Sequence, residues 1–119
     1  MPLRVRTLKG CAIVTLPAEV DLANIDHLRF CARNQLWDHL PELSDVVFDL
    51  THVSFMGSEG GALIIDTWRR GQQAGVPVRV AAPSLLHRRI LQALGLDWTA
   101  LFRDMHQAVS GLRLLDDAG

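Results

Sequence analysis

The stretch from Val46 to Arg70 leaves this chain few ways to fold. Val46-Val47-Phe48-Asp49-Leu50 is long enough for one buried strand and too short for a helix, and Thr51 to Phe55 reads as a tight turn followed by a short second extended piece. Beyond it the apolar period lengthens. Gly61, Ile64, Ile65 and Trp68 recur at three- and four-residue spacing, which predicts a helix with Ile64 and Trp68 turned inward. A strand feeding a helix in this way belongs to α/β architecture.

The junction between the two is Met56-Gly57-Ser58-Glu59-Gly60-Gly61. Ser58 falls at or next to the N-cap of the helix. A serine there has two readings. Its oxygen can accept an orphan backbone N–H of the first turn, or its hydroxyl can be modified, since an added anion would meet the positive end of the helix dipole. The glycines pose a similar choice. Each costs about 1 kcal/mol relative to alanine inside a helix. That loss is recovered either by another molecule approaching the bare main chain or by tight packing of the helix on its own sheet.

The rest of the chain alternates in the same manner. Leu3 to Thr7 and Cys11 to Leu16 read as strands joined at Lys9-Gly10, a hairpin signal. Asp21 reads as the N-cap of a helix whose stripe is Ile25, Leu28, Ala32, Leu36 and Leu40, ended by Pro41. After the helix opened by Ser58, Gly75 is the stop, and Val76 to Ala81 is a further strand. Pro83-Ser84 caps a helix with Leu86, Ile90, Leu91 and Leu94 inward and Gly95 at its end. Asp104, with Gln107 three residues on, opens a last helix carrying Met105, Ala108, Val109 and Leu112 on one face. The expectation is about four strands and about four helices, the sheet mixed and covered mainly on one face. One domain spans residues 1–119, with fraying expected beyond Leu115.

Composition narrows the function. In 119 residues, 49% hydrophobic and 21% charged fits a folded domain with a core of its own, and a net charge of −1 announces neither a nucleic-acid nor a membrane-surface binder. No apolar run approaches the roughly 20 residues that span a bilayer, and the N-terminus lacks a signal-peptide core, so the reading is cytoplasmic. Arg69-Arg70 and His87-Arg88-Arg89 read as solvated faces. Cys11 and Cys31 are isolated, without CxxC pairing, and read as reduced, partly buried thiols. His27, His39, His52, His87 and His106 show no paired ligand spacing, so no metal is expected. Met56 stands where a hydrolase elbow needs glycine, and the glycines match neither a P-loop nor a dinucleotide fingerprint. Asp49 reads as a turn former. No catalytic residue or cofactor is expected, and a binding module fits better than an enzyme.

Leu16-Pro17-Ala18-Glu19-Val20-Asp21-Leu22, the run from Val46 to Gly60, Val78 to Ser84, and Arg89 to Leu96 together resemble, in order and at family spacing, the landmarks of the STAS domain family, the bacterial anti-sigma factor antagonists. The resemblance covers nearly the whole chain. It implies a mixed sheet of about four to five strands with helices on one side. It also implies docking of an anti-sigma factor, commonly a serine kinase, at the modifiable serine, with phosphorylation releasing the complex. The family's phosphoacceptor lands on Ser58 and its turn glycine on Gly60. Two positions depart: where the family usually has an acid before the serine and a hydroxyl residue after it, this chain has Gly57 and Glu59. The partner surface expected on this basis is Gly57, Ser58, Glu59, Gly60 and Gly61, with Asp66 and Arg70 farther along the helix. The alternative is a STAS scaffold that is not phosphorylated, a subunit of a signalling or lipid-transport complex in which Ser58 is only a cap.

Overall fold

In the computed structural model, which describes residues 3–112, strand β1 (Arg4–Leu8) and strand β2 (Cys11–Thr15) form an antiparallel hairpin. Its turn is Lys9-Gly10, both with positive φ (50° and 84°), the geometry a two-residue hairpin turn with the right twist demands. Strand β4 (Asp45–Asp49) pairs parallel to β2 and strand β6 (Val78–Ala81) parallel to β4. The short strand β7 (Leu101–Phe102) closes the order β1-β2-β4-β6-β7. Strands β3 (Glu19–Val20) and β5 (Phe55–Met56) make a separate parallel pair, Val20 opposite Met56. The mixed five-stranded sheet agrees with the sequence expectation. β3 and β7 were not anticipated, because pairs of residues leave no periodicity to read.

Three helices cover one face: α1 (Ile25–Gln35), α2 (Ser58–Ala74) and α3 (Leu85–Ala93). Val14, Val46, Phe48 and Val80 point into this layer and meet Leu28, Leu63, Ile64 and Leu91, all of them fully or almost fully buried. β4 is central and parallel, so both its faces are covered and its apolar run is continuous rather than alternating. The opposite face carries Cys11, Val47 and Ala81, over which the short helix α4 (Met105–Val109) lays Ala108 and Met105.

Several local signals act as read. Ser84 Oγ accepts the amide of His87, Asp104 accepts that of Gln107 at 2.8 Å, and Asp49 accepts the amide of Thr51 in a turn. Gly75 ends α2 at φ 75°, with the Val76 amide returning to the Gly71 carbonyl at 2.7 Å.

Others are corrected. α1 is capped at Asn24 rather than at Asp21, because Asp21 and Asn24 first exchange hydrogen bonds in a turn of their own. The α-helix ends at Gln35. Leu40 and Pro41 belong to a 3-10 segment, Trp37–Glu42, that still drives Leu36, Trp37 and Leu40 into the core. Leu86, expected inward, is 64% exposed, and the buried position on α3 goes to His87. Trp68 is only partly buried. The fraying expected beyond Leu115 lies outside the described residues.

Candidate functional site

β5 runs directly into α2, and the link between them is held by the neighbouring strand: the Gly57 amide donates to the Val20 carbonyl at 3.0 Å. Gly57 is the N-cap, in extended conformation, and its carbonyl accepts the amides of both Gly60 (3.1 Å) and Gly61 (3.3 Å). Ser58 is therefore the first helical residue. Its side chain caps nothing. The hydroxyl is exposed and donates to Glu59 Oε2 at 3.1 Å. Ser58 thus does not serve as the cap, and its oxygen stands exposed beside Glu59.

The electrostatics of the position favour an anion. Among the described residues no acceptor takes the amides of Ser58 and Glu59, which are the orphan donors at the positive end of a 17-residue helix. The nearest negative group is the Glu59 carboxylate, folded back over Gly57. A Cβ placed on Gly57 would lie 2.5 Å from Glu59 Oε1. Gly57 and Glu59, the two departures from the family pattern, thus pack as one unit: the bare Gly57 makes room for the Glu59 carboxylate.

The glycines after the serine serve the fold. Gly60 and Gly61 are buried, and a Cβ on Gly60 would lie 2.7 Å from Val20 Cγ1, while one on Gly61 would lie 2.5 Å from Leu94 Cδ1. Of the two explanations open in the sequence, packing of α2 on its own neighbours is the one realised. Gly60 and Gly61, expected on the partner surface, are buried against Val20 and Leu94 in the free domain.

The outer stripe of α2 begins at the exposed Ser58 and the half-buried Glu59 and continues through the half-buried Ala62 and Asp66 to the exposed Arg69 and Arg70. Asp66 and Arg70 share the face with Ser58, as expected, but both are engaged. Asp66 accepts from Arg29 of α1 at 2.8 Å, and the Arg70 guanidinium lies 4.0 Å from the centre of the Trp37 ring. Two apolar side chains at this end were not picked out from sequence. Leu22 is 76% exposed and Phe55 52%. Val20 pairs with Met56, so Leu22 and Ser58 each lie two residues past the same rung and emerge at the same end of the pair. Phe55 opposes Glu19 in the preceding rung, both of them exposed. The signal was the inside-outside alternation of Phe55 and Met56, visible only once the strand pair is known.

Chemistry of other kinds has little to work with. Cys11 is buried, and that burial, with the Asp45 charge beside it, pushes its thiol up to about 11, out of the thiolate range at neutral pH. Among the described residues no three His, Cys, Asp or Glu side chains converge on a metal position, and no helix is long and apolar enough to cross a membrane.

The mixed sheet, with an exposed serine that does not cap its helix at the head of α2, defines a small α/β domain. The chain belongs to the STAS domain family, whose model matches residues 2–108. Its structure is similar to the phosphorylated form of the Bacillus cell fate determinant SpoIIAA, with a TM-score of 0.73, 17% identity, and coverage of 93% of this chain and 99% of that one. An anti-sigma factor antagonist from Mycobacterium paratuberculosis matches at TM-score 0.72 and 26% identity, covering 93% of this chain and 92% of that one. The murine anion transporter Slc26a9 matches at TM-score 0.67 and 18% identity, over 88% of this chain but only 18% of its own. No curated protein matches the sequence.

Proposed function

We propose that this domain is an anti-sigma factor antagonist, acting in the cytoplasm by binding rather than catalysis. Its partner on this reading is an anti-sigma factor that is itself a serine kinase, and phosphorylation of Ser58 ends the complex, so that transcription is regulated indirectly. The observation that carries the reading is the Ser58 hydroxyl, exposed at the head of α2 and bonded to the neighbouring Glu59 carboxylate rather than capping the helix. The likeness to SpoIIAA and to the mycobacterial antagonist supports the same class.

The physics of the switch follows from the surroundings of that oxygen. The partner covers Gly57, Ser58, Glu59 and the stripe toward Asp66 and Arg70, with Leu22 and Phe55 as the apolar anchors that a stable contact needs. Phosphorylation adds about −1.5 to −2 charges and three acceptor oxygens. The fold accommodates them, because the Ser58 and Glu59 amides and the helix dipole favour an anion. The Glu59 carboxylate, now beside like charge, turns out of the way. A partner seated on Leu22 and Phe55 must instead desolvate the phosphate, and the complex separates.

Isothermal titration with the anti-sigma partner tests this. Wild type and Ser58→Ala bind with similar affinity, Ser58→Ala resists the kinase, and Ser58→Asp binds weakly. Equal affinities for all three would sink the switch. They would leave the second reading, a scaffold module within a larger complex, which the match to part of Slc26a9 favours.

A further inference from the structure

Two of the exposed large apolar side chains meet in one groove: Leu85 (53%) and Trp98 (73%). Leu85 opens α3, and Trp98 starts the 3-10 turn that leads into β7. The two line the same groove, between α3 and the edge strand, with Leu101 and Phe102 of β7 also in its wall. The charged members of the lining are Arg88 and Arg103; it contains no carboxylate. The nearest acids in sequence, Asp97 and Asp104, lie outside the lining, their carboxylates accepting the amides of Thr99 and Gln107.

The groove runs against the charge of the molecule as a whole, which is −1. Arg88 is held in place by its own main chain, donating to the carbonyls of Ala82 (2.6 Å) and Pro83 (2.9 Å), so little rotamer freedom remains to be lost when it meets an anion. Arg103 makes no ion pair among the described residues. An exposed tryptophan beside two arginines is the residue combination that dominates binding hot spots, and β7 is a two-residue edge with no strand beyond it.

We propose that this groove is a second protein-docking surface, separate from the Ser58 face, and that it takes an acidic amphipathic segment of a partner protein. An aliphatic or aromatic side chain of that segment lies against Trp98 and Leu85, and its carboxylates pair with Arg88 and Arg103. Charge complementarity selects this occupant over a second copy of the chain, since a two-fold contact places a patch against itself and would bring arginine to arginine. A groove also suits an inserted segment better than a flat lipid surface. The STAS domain on this reading joins two partners, one released at Ser58 and one held at the β7 edge.

The test is selection from a random phage-displayed peptide library on the full chain, followed by fluorescence anisotropy with the selected peptides. The expected consensus interleaves aspartate or glutamate with large apolar residues. Trp98→Ala and Arg103→Glu each lower its affinity by about tenfold or more, which corresponds to about 1.4 kcal/mol, while both variants keep the wild-type melting temperature. Trp98 is solvent-exposed, and Arg103→Glu is a second route to the same answer should Trp98→Ala fold poorly. A basic or uncharged consensus, binding indifferent to both variants, self-association abolished by Trp98→Ala, or binding only to vesicles containing phosphatidylglycerol would each overturn the proposal.

Discussion

Trp37 Nε1 donates to Thr67 Oγ1 at 2.8 Å in the buried seam between the 3-10 segment after α1 and the middle of α2. Thr67 in turn donates to the Leu63 carbonyl at 2.9 Å, so the one fully buried hydroxyl in the seam is satisfied twice. Thr67→Val keeps the volume and strands the indole N–H, which costs about 1–3 kcal/mol. Thr67→Ser retains the oxygen and should lose much less. Chemical denaturation of both variants measures the difference; a Thr67→Val loss no larger than the Thr67→Ser loss would mean that the hydrogen bond contributes no more than the buried methyl group.

The same indole is covered from outside by Arg70, at 4.0 Å. Arg70→Glu should therefore lower stability by about 0.5–1 kcal/mol through the lost cation–π contact, before any partner is present. Arg70→Lys should retain part of it. A drop in partner binding by Arg70→Glu is informative only beyond that loss, which a melting curve of the free domain supplies.

Gly60→Ala and Gly61→Ala separate packing from partner access. Alanine recovers about 1 kcal/mol of helix propensity at each position, against roughly 1–3 kcal/mol for overpacking. At Gly60 the new Cβ meets Val20 Cγ1 and Met56 Cγ (2.7 and 2.8 Å), and Val20, β-branched and in a strand, has little room to yield. At Gly61 it meets the tip of Leu94, which can rotate away. Gly60→Ala should lower the melting temperature, and Gly61→Ala should change it little. Unchanged stability in Gly60→Ala with lost partner binding would return Gly60 to the docking surface.

His87 is 4% exposed and its Nδ1 has no hydrogen-bond partner among the described residues. Burial lowers its pKa below the ordinary 6.5. In the unfolded chain the imidazole takes up a proton near 6.5, while the folded chain resists doing so. Stability is therefore unaffected above that pH and falls as pH drops through 6.5 toward the lower folded value. The melting temperature should decline as the pH falls below 6.5, and His87→Leu should flatten that decline. An identical pH profile in the two proteins would place the titration elsewhere.

What could be read directly from the sequence was local. The Lys9-Gly10 turn, the caps at Ser84 and Asp104, the stop at Gly75, the buried run of β4 and the Asp49 turn each depend on partners within a few residues. Turn geometry and orphan amides constrain those residues without reference to the rest of the fold. The same holds for the position of Ser58 at a helix start, which identified the candidate site before any distance was known.

What tertiary structure decided was which of several locally equivalent choices was used. The α3 pattern offers Leu86 or His87 as its inward residue, and hydropathy favours the leucine. The helix nonetheless buries His87 and exposes Leu86, because its axis is set by Leu91 against the sheet and Leu94 against Gly61. Asp21 and Asn24 are both good caps, and the bond from Asn24 to the Glu19 carbonyl decides between them. Whether Gly60 is bare for a partner or for Val20 depends on a side chain on another strand, and the exposure of Phe55 with the burial of Met56 depends on the pairing of β5 with β3. The sequence determined where elements start, stop and turn, because hydrogen bonds near in the chain set those points. The face each element presents, and hence which residues remain for a partner, was decided by contacts between residues far apart in the chain, which no local pattern records.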